Sequence, residues 1–354
     1  MRRVRLENVR LGARLAKTIF NSEGGVLLSK GVEMKEVFIQ RLISQGIHEV
    51  FLEDEISQDI EVDDVVCENT RNEAEKLITE LMNNYHFSAT IDADEIKKTV
   101  NRIIKELLSQ KDILYNLSDI KSVDDYTFQH CVNVCILSLI TGIDLGFDIE
   151  RLRELGTGAI LHDIGKMFIP KDILNKPSQL TVDEFEQIKK HTLLGYELLK
   201  KNEEIGLSSA FIAFGHHERF DGSGYPLQLK GENIHIFARI VAVADVYDAL
   251  TSDRVYRKRL KSNEVFEYIT SLGIHHFDPK IIESFVRHVT IYPVGTGVLL
   301  NTGEMALVAN ANSKMPTRPR VRILGTEGGK SSGKYYEIDL AEKSHIFIVD
   351  GCEI

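Results

Sequence analysis

Five histidines and two aspartates fall, in order, within five short stretches. His130 sits in "DDYTFQHCVNV". His162 and Asp163 are adjacent in "GAILHDIGK", followed by Gly165 and Lys166. His191 lies in "IKKHTLLGYELL". His216 and His217 stand side by side in "GHHERFDGSGYP". Asp245 interrupts the apolar run of "RIVAVADVYDAL". Imidazole and carboxylate together suit Fe, Mn, Ni, Co or Zn better than Mg. Each stretch alone has a plainer reading. His130 at the head of an apolar helix can be structural, and a His-Asp dipeptide recurs by chance. A carboxylate in an apolar run is costly to bury unless it is paired or metal-bound, and Arg239 is a candidate salt-bridge partner for Asp245. Taken together, the seven side chains suffice for two metal ions with one carboxylate bridging. Two ions about 3.5–4 Å apart are the usual equipment for in-line attack on a phosphate ester. None of the candidate ligands is a cysteine, which argues against a structural zinc site.

The tandem histidines pose a geometric problem. Neighbours on a helix point about 100° apart, so one helical face cannot present both. Either one of the two is incidental, or both are needed and the chain leaves regular helix at His216–His217, where a Gly-rich turn follows. A second pair, His275–His276 in "GIHHFDPK", has no such company and is assigned a structural role.

The elements that must position these residues are mostly helical. From about 65 to 290 the apolar spacing is that of helices. Asp92 with Glu95, and Thr181 with Glu184, have the spacing of N-terminal capping pairs. Asp278 followed by Pro279 marks another helix start. Ile96, Val100, Ile103, Ile104, Leu107 and Leu108 form an apolar stripe, for packing within the chain or across a dimer. Cys131 and Cys135, one helical turn apart, are expected as small core residues. Before this region, "VRLGARLAKTIFNSEGGVLLSKG" predicts strands around the turn "NSEGG". "MKEVFIQRLISQG" predicts a helix stopped at Gly46, and "IHEVFLE" a strand. After it, "TGVLLNTGEMALVANAN", "RPRVRIL", "YYEIDL" and "HIFIVDG" predict short strands. The fold class expected is mainly α, a helical bundle with a small N-terminal α+β module and a small C-terminal β appendage. The expected boundaries are 1–60 for the first module, 61–114 for linker or dimerisation helices, 115–292 for the bundle that carries the site, and 293–354 for the C-terminal β subdomain.

Composition narrows the partners. The 43% hydrophobic and 27% charged residues are ordinary for a soluble globular protein. No apolar run reaches about 18 residues, so no membrane insertion is expected. The basic start "MRRVRLENVRLG" lacks the apolar core of a signal peptide. Four sparse cysteines fit a reducing, cytoplasmic setting. A net charge of −10 argues against a nucleic acid polymer as partner. An anionic substrate then needs local positive charge, from metals or from the cluster "RVYRKRLK".

The ordered set "YTFQHCVNV", "LHDIGK", "HTLLGYELL", "GHHERFDGSGYP" and "ADVYDALTSDRVYRK" resembles the HD-GYP family, a branch of the HD metal-dependent phosphohydrolases. The resemblance covers about residues 115–290. It implies an HD-type helical bundle and a phosphodiesterase that cuts cyclic di-GMP to pGpG, and in many members on to GMP. It implies that His130, His162, Asp163 and Asp245 hold one metal, and that Asp163 bridges to a second held by His191, His216 and His217. Iron or manganese is the expected metal, with Ni, Co or Zn as alternatives. Lys166 is then placed to neutralise a phosphate oxygen or assist the leaving group. Gly222, Gly224 and Tyr225 form the loop linked to substrate and to protein partners, with a plain structural turn as the alternative for Tyr225. Arg254 and Arg257 match phosphate- or guanine-contact positions, and Asp248, counted with the substrate set, is placed to orient a metal-bound water or a ligand. Some members carry a glutamate, with a third metal, where this chain has Tyr126. Two metals are therefore expected, with Asp124 near enough in sequence to count beside Tyr126. A homodimer fits the pattern. Competing readings are a weakly active or inactive cyclic-dinucleotide or partner-binding signalling module, and a hydrolase of another cyclic dinucleotide such as cyclic GMP-AMP.

Overall fold

The computed structural model describes residues 1–20, 25–62, 64–88, 91–110, 113–115, 126–252, 260–326 and 335–354. The turn "NSEGG", Asp124, Arg254 and Arg257 lie wholly or mostly outside these residues, as does the side chain of Tyr126.

The chain opens with strands β1 (Arg2–Arg5), β2 (Arg14–Leu15), β3 (Ile19–Phe20) and β4 (Val26–Leu28), helix α1 (Glu36–Ser44) and strand β5 (Glu49–Glu53). Gly46 follows α1 at φ +74°, the left-handed conformation that ends a helix without a Cβ clash. β5 is the centre of an antiparallel sheet of order β1-β5-β2, and β3 pairs with β4. Helices α2 (Glu68–Ser88) and α3 (Ala93–Ser109) come next. The bundle follows: α4 (Tyr126–Asp144), α5 (Ile149–Ile160), α6 (Lys171–Leu174), α7 (Val182–Lys200), α8 (Leu207–Gly215), α9 (Ile236–Thr251), α10 (Ser262–Thr270) and α11 (Pro279–Val286). The chain closes with β6 (Gly297–Leu300), β7 (Glu304–Asn310), β8 (Arg320–Thr326), β9 (Tyr336–Asp339) and β10 (Ile348–Gly351), an antiparallel sheet of order β10-β6-β7-β8-β9.

The caps sit where their residue types place them. The Asp92 side chain accepts from the Glu95 N–H at 3.0 Å. Thr181 and Glu184 exchange side chain-to-backbone bonds as a capping box at the start of α7. Asp278 caps α11, with Pro279 at its first turn.

Two features of the packing bear on the expected boundaries. First, α2 and α3 pack into the bundle. Ala74, Ile78, Ile96, Val100, Ile103, Ile104 and Leu107 are buried in the same core as α4, α5 and α9. Of the predicted stripe, Leu108 stays 53% exposed. The stripe packs within the chain because α5 offers it an apolar face, down to Gly156, whose missing side chain leaves room for Val100. Second, the two terminal modules are not separate. Ala16, Phe51, Ile60 and Val62 share a core with Val298, Leu307, Val321 and Leu340. The Arg3 N–H donates to Gly295 O at 2.8 Å, and Arg322 donates to the carbonyls of Ile56 and Gln58. Neither small sheet covers both its faces alone, so burying one against the other removes apolar surface from water.

Candidate metal centre

The seven candidate ligands come from five separated stretches and meet inside the bundle. His130 is on the second turn of α4. His162 and Asp163 follow the end of α5, in the turn before a 3-10 segment at Ile164–Phe168. His191 is midway along α7. α8 ends at Gly215, so His216 and His217 lie in the turn beyond it and the helical-face problem does not arise. Asp245 is in the middle of α9. The turn at Asp163 approaches α7 so closely that a Cβ on Gly165 would stand 1.9 Å from the His191 carbonyl oxygen. A glycine is required there, which explains the residue two places after Asp163.

Two ligand groups result. Asp163, His191, His216 and His217 offer donor atoms within 4.8 Å of one another, as do His130, His162 and Asp245. Asp163 faces both. Its Oδ1 is 3.5 Å from His191 Nε2 and 3.8 Å from His216 Nε2, while Oδ2 is 3.4 Å from His162 Nε2 and 3.9 Å from His130 Nε2. His130 Nε2 lies 3.0 Å from Asp245 Oδ1, and His217 Nδ1 lies 3.8 Å from Asp245 Oδ2. The pairing of Asp245 with Arg239 does not form, since Arg239 bonds Asp278 at 2.5 Å.

The donor set fits divalent cations on physical grounds. His162 Nδ1 donates to Ala159 O, His191 Nδ1 to Ile188 O, and His216 Nδ1 to Ile212 O and Ala213 O. A neutral imidazole has one N–H, so each Nε2 carries a lone pair. His191 Nε2 and His216 Nε2 then face each other at 3.4 Å as two acceptors. Among the described residues, His162 Nε2 and Asp163 Oδ1 are buried with no hydrogen-bond partner. Such groups are costly to leave unmatched, and a cation among them answers all four.

The electrostatics agree. Burial works to raise the Asp163 carboxyl, but the nearby Lys166 and His162 hold it well below the usual range. Burial works likewise on Asp245, and the His130 hydrogen bond and charge reverse it. Burial lowers His191 to about 4, and lowers His216 well below its ordinary value with help from neighbouring imidazoles. Neutral rings at His191 and His216 beside ionised carboxylates are the states a divalent ion needs. His130 differs: burial works to lower it, but its hydrogen bonds to Asp245 and Asp248 hold it above its ordinary value until a cation takes the place of its second proton.

Around this centre the other expected residues separate. Lys166 Nζ is 2.5 Å from Asp163 Oδ2 and only partly exposed. Tyr225 stacks on the His217 ring, with centroids 4.8 Å apart at 29°. Gly222 adopts φ +87°, and a Cβ on Gly224 would stand 2.3 Å from the Arg219 nitrogen, so the loop before Tyr225 needs both glycines. Asp248 moves out of the expected substrate set. It is 1% exposed, and its Oδ2 accepts from His130 Nδ1 at 2.8 Å while Oδ1 accepts from Asn133 at 2.9 Å. The reason is spacing: Asp245 and Asp248 are three apart on α9, so one reaches each ring nitrogen of His130. The second histidine pair supports the loop through its backbone, with Phe220 N–H donating to His276 O at 2.7 Å.

Sequence reasoning missed three contributors. Glu218, 3% exposed, accepts from the backbone N–H groups of Leu227 and Leu229 at 2.7 and 3.0 Å, tying down the loop that carries Tyr225. Its signal was a carboxylate directly after two ligands. Phe185 meets Tyr225 edge-on, and Lys189 Nζ lies 4.9 Å from the Phe185 ring and 5.4 Å from the Tyr225 ring. Their signal was their place on α7, one and a half turns and half a turn before His191.

The family model described as HD domain matches residues 104–281, and the model described as KOW domain associated with HD domain matches residues 297–354. A cyclic di-GMP phosphodiesterase of Pseudomonas aeruginosa is 33% identical over 280 residues, covering 79% of this chain and 67% of that protein. One from Thermotoga maritima is 39% identical over 197 residues, covering 54% of this chain and 53% of that protein. A 3'3'-cGAMP-specific phosphodiesterase of Vibrio cholerae is 31% identical over 229 residues, covering 64% of this chain and 43% of that protein. Among the described residues no helix is long and apolar enough to cross a membrane. With an HD domain model matched over half its length and the tandem-histidine and GYP stretches in place, the chain belongs to the HD domain family, in its HD-GYP branch.

Proposed function

We propose that this chain is a metal-dependent phosphodiesterase that hydrolyses cyclic di-GMP to pGpG and on to GMP, with two divalent ions, iron or manganese, held by the two ligand groups. The observation that carries this reading is the buried cluster in which Asp163 faces both groups and paired lone pairs await a cation. When bound, the ions supply a nucleophile at neutral pH and neutralise charge on the phosphoryl oxygens. The chain's own residues do the rest. His130, His162, His191, His216 and His217 present ring nitrogens from the bundle to the two groups. Asp163 supplies charge to both groups at once. Lys166, already on Asp163, stands ready to meet a phosphate oxygen or the departing 3′ oxygen. Tyr225, backed by His217 and flanked by Phe185, offers a flat face for a guanine. Arg254 and Arg257 are proposed as phosphate or base contacts by their position in the family motif. The protein works in the cytoplasm, as a homodimer, with the GYP loop also open to protein partners.

The test is direct. Protein loaded anaerobically with iron, or with manganese, is incubated with cyclic di-GMP or with 3'3'-cyclic GMP-AMP, and products are separated by chromatography. Formation of pGpG and GMP from the first substrate, faster than cleavage of the second, is expected. No cleavage of either sinks the reading, and preference for the second reassigns the substrate.

A further inference from the structure

Behind His130 a buried hydrogen-bond chain runs out of the matched HD segment. His130 Nδ1 meets Asp248 Oδ2 at 2.8 Å, Asn133 Nδ2 donates to Asp248 Oδ1 at 2.9 Å, and Arg71 Nη1 donates to Asn133 Oδ1 at 2.9 Å. His130, Asn133, Asp248 and Arg71 are 2%, 0%, 1% and 5% exposed, so water does not substitute for these contacts. Arg71 is on α2, upstream of residue 104 where the HD domain match begins. The Arg71 guanidinium also lies 5.7 Å from the centre of the Tyr115 ring, which helps hold it in place.

The chain has a direction. A guanidinium only donates, so the Asn133 amide must turn its oxygen toward Arg71. Its NH2 group then points at Asp248, which accepts as a carboxylate. Asp248 in turn holds a proton on His130 Nδ1, so that Nε2, which faces Asp245 Oδ1 at 3.0 Å, is the ring nitrogen turned to the metal side. Turning the Asn133 amide over would set its oxygen against the Asp248 carboxylate. Partners of this kind fix the tautomer and ring angle of a ligating histidine.

We propose that Arg71 is a positioning residue for the metal centre: through Asn133 and Asp248 it sets the tautomer and orientation of His130, making α2 part of the site. This rests on the metal-binding reading but not on any substrate. It also gives the N-terminal region a physical route to the centre, because α2 connects directly to it.

Titration of metal-free protein with Mn2+ alone, followed by calorimetry and by the electron paramagnetic signal of free Mn2+, tests the proposal. Arg71→Met is expected to weaken one of two binding steps by about 10–100-fold and leave the other unchanged. Arg71→Lys, which keeps a donor-only group, is expected to return that step to within about threefold of the parent. A folded Arg71→Met protein that binds both ions like the parent, loses both steps equally, or is not improved upon by Arg71→Lys overturns the proposal. Should Arg71→Met fail to fold, 15N NMR of the histidines in the Zn2+-loaded parent decides. A proton on His130 Nδ1 is expected, and a bare Nδ1 overturns it. Loss of cyclic di-GMP hydrolysis would not move these readouts, so failure of the substrate assignment stays separate.

Discussion

His130 and the trio His162, His191 and His216 reach the same centre by different means. Each of the trio anchors Nδ1 on a backbone carbonyl three or four residues earlier, at 2.6–3.1 Å. Their orientation follows from local helical geometry, and no side-chain substitution elsewhere can remove the carbonyl. His130 instead leans on Asp248, a side chain from another helix. Its orientation is a tertiary property and can be lost by mutation at a distance. One centre thus combines three ligands that are set locally with one that depends on the packing of α4, α9 and α2.

The largest expected effect erases the contrast. Asp163→Ala removes the carboxylate that both groups share, so both ions and all measurable hydrolysis should go, beyond the roughly 10–100-fold typical of losing an outer partner. Metal analysis after gel filtration, alongside product chromatography, checks it; retained activity would refute the site assignment. Next, Asp248→Asn should sharpen the contrast. One Mn2+ step should weaken by about 10–100-fold while the step served by the carbonyl-anchored rings persists, as read by calorimetry.

Smaller effects are expected on the loop, away from both kinds of support. Glu218→Ala deletes two hydrogen bonds to a buried carboxylate, each worth about 1.5–3 kcal/mol. The loop should loosen, raising KM for the cyclic dinucleotide by about tenfold or more, with both metals retained. Tyr225→Ala should raise KM by a lesser factor, about the 1–3 kcal/mol of one stacked base, again with unchanged metal content. A drop in metal content in either variant would show that the loop belongs to the centre itself.

A separate effect, on stability rather than turnover, concerns pH. His191 has a pKa of about 4 in the folded, metal-free protein, because burial opposes its charge. Its unfolded value is about 6.5. Between these values the unfolded chain takes up a proton that the native chain does not, so stability contributed here falls as pH falls from about 6.5 to about 4 and is level below. Urea midpoints of metal-free protein across that range should decline, and His191→Gln should make the decline shallower, the rest coming from His216 and His217, which burial lowers in the same direction.

The helices of the bundle and the residues of the centre were legible because each rests on local signals. Capping pairs at Asp92 and Thr181, apolar spacing along α3, and imidazoles beside carboxylates all act over a few residues. Asp248 misled because its spacing from Asp245 is visible in the sequence, whereas the ring nitrogen it meets belongs to a helix more than a hundred residues away. Arg71 and Asn133 carried no signal for the same reason: an arginine on an amphipathic helix reads as solvated until another helix covers it. The shared core of the terminal sheets was hidden too, since apolar alternation in Phe51 or Leu307 shows that a face is buried, but not against what.

By itself, then, the amino-acid order determined the helical class, the helix starts, the donor types for a divalent cation, and the break in α8 that frees His216 and His217. Only the tertiary structure decided which carboxylate backs His130, that α2 enters the site, and that the two terminal modules close on one core. The physical reason is range. Hydrogen-bonded turns and side-chain periodicity are settled by neighbours in the chain, while burial and the pairing of buried polar groups depend on surfaces that meet only when the chain is folded.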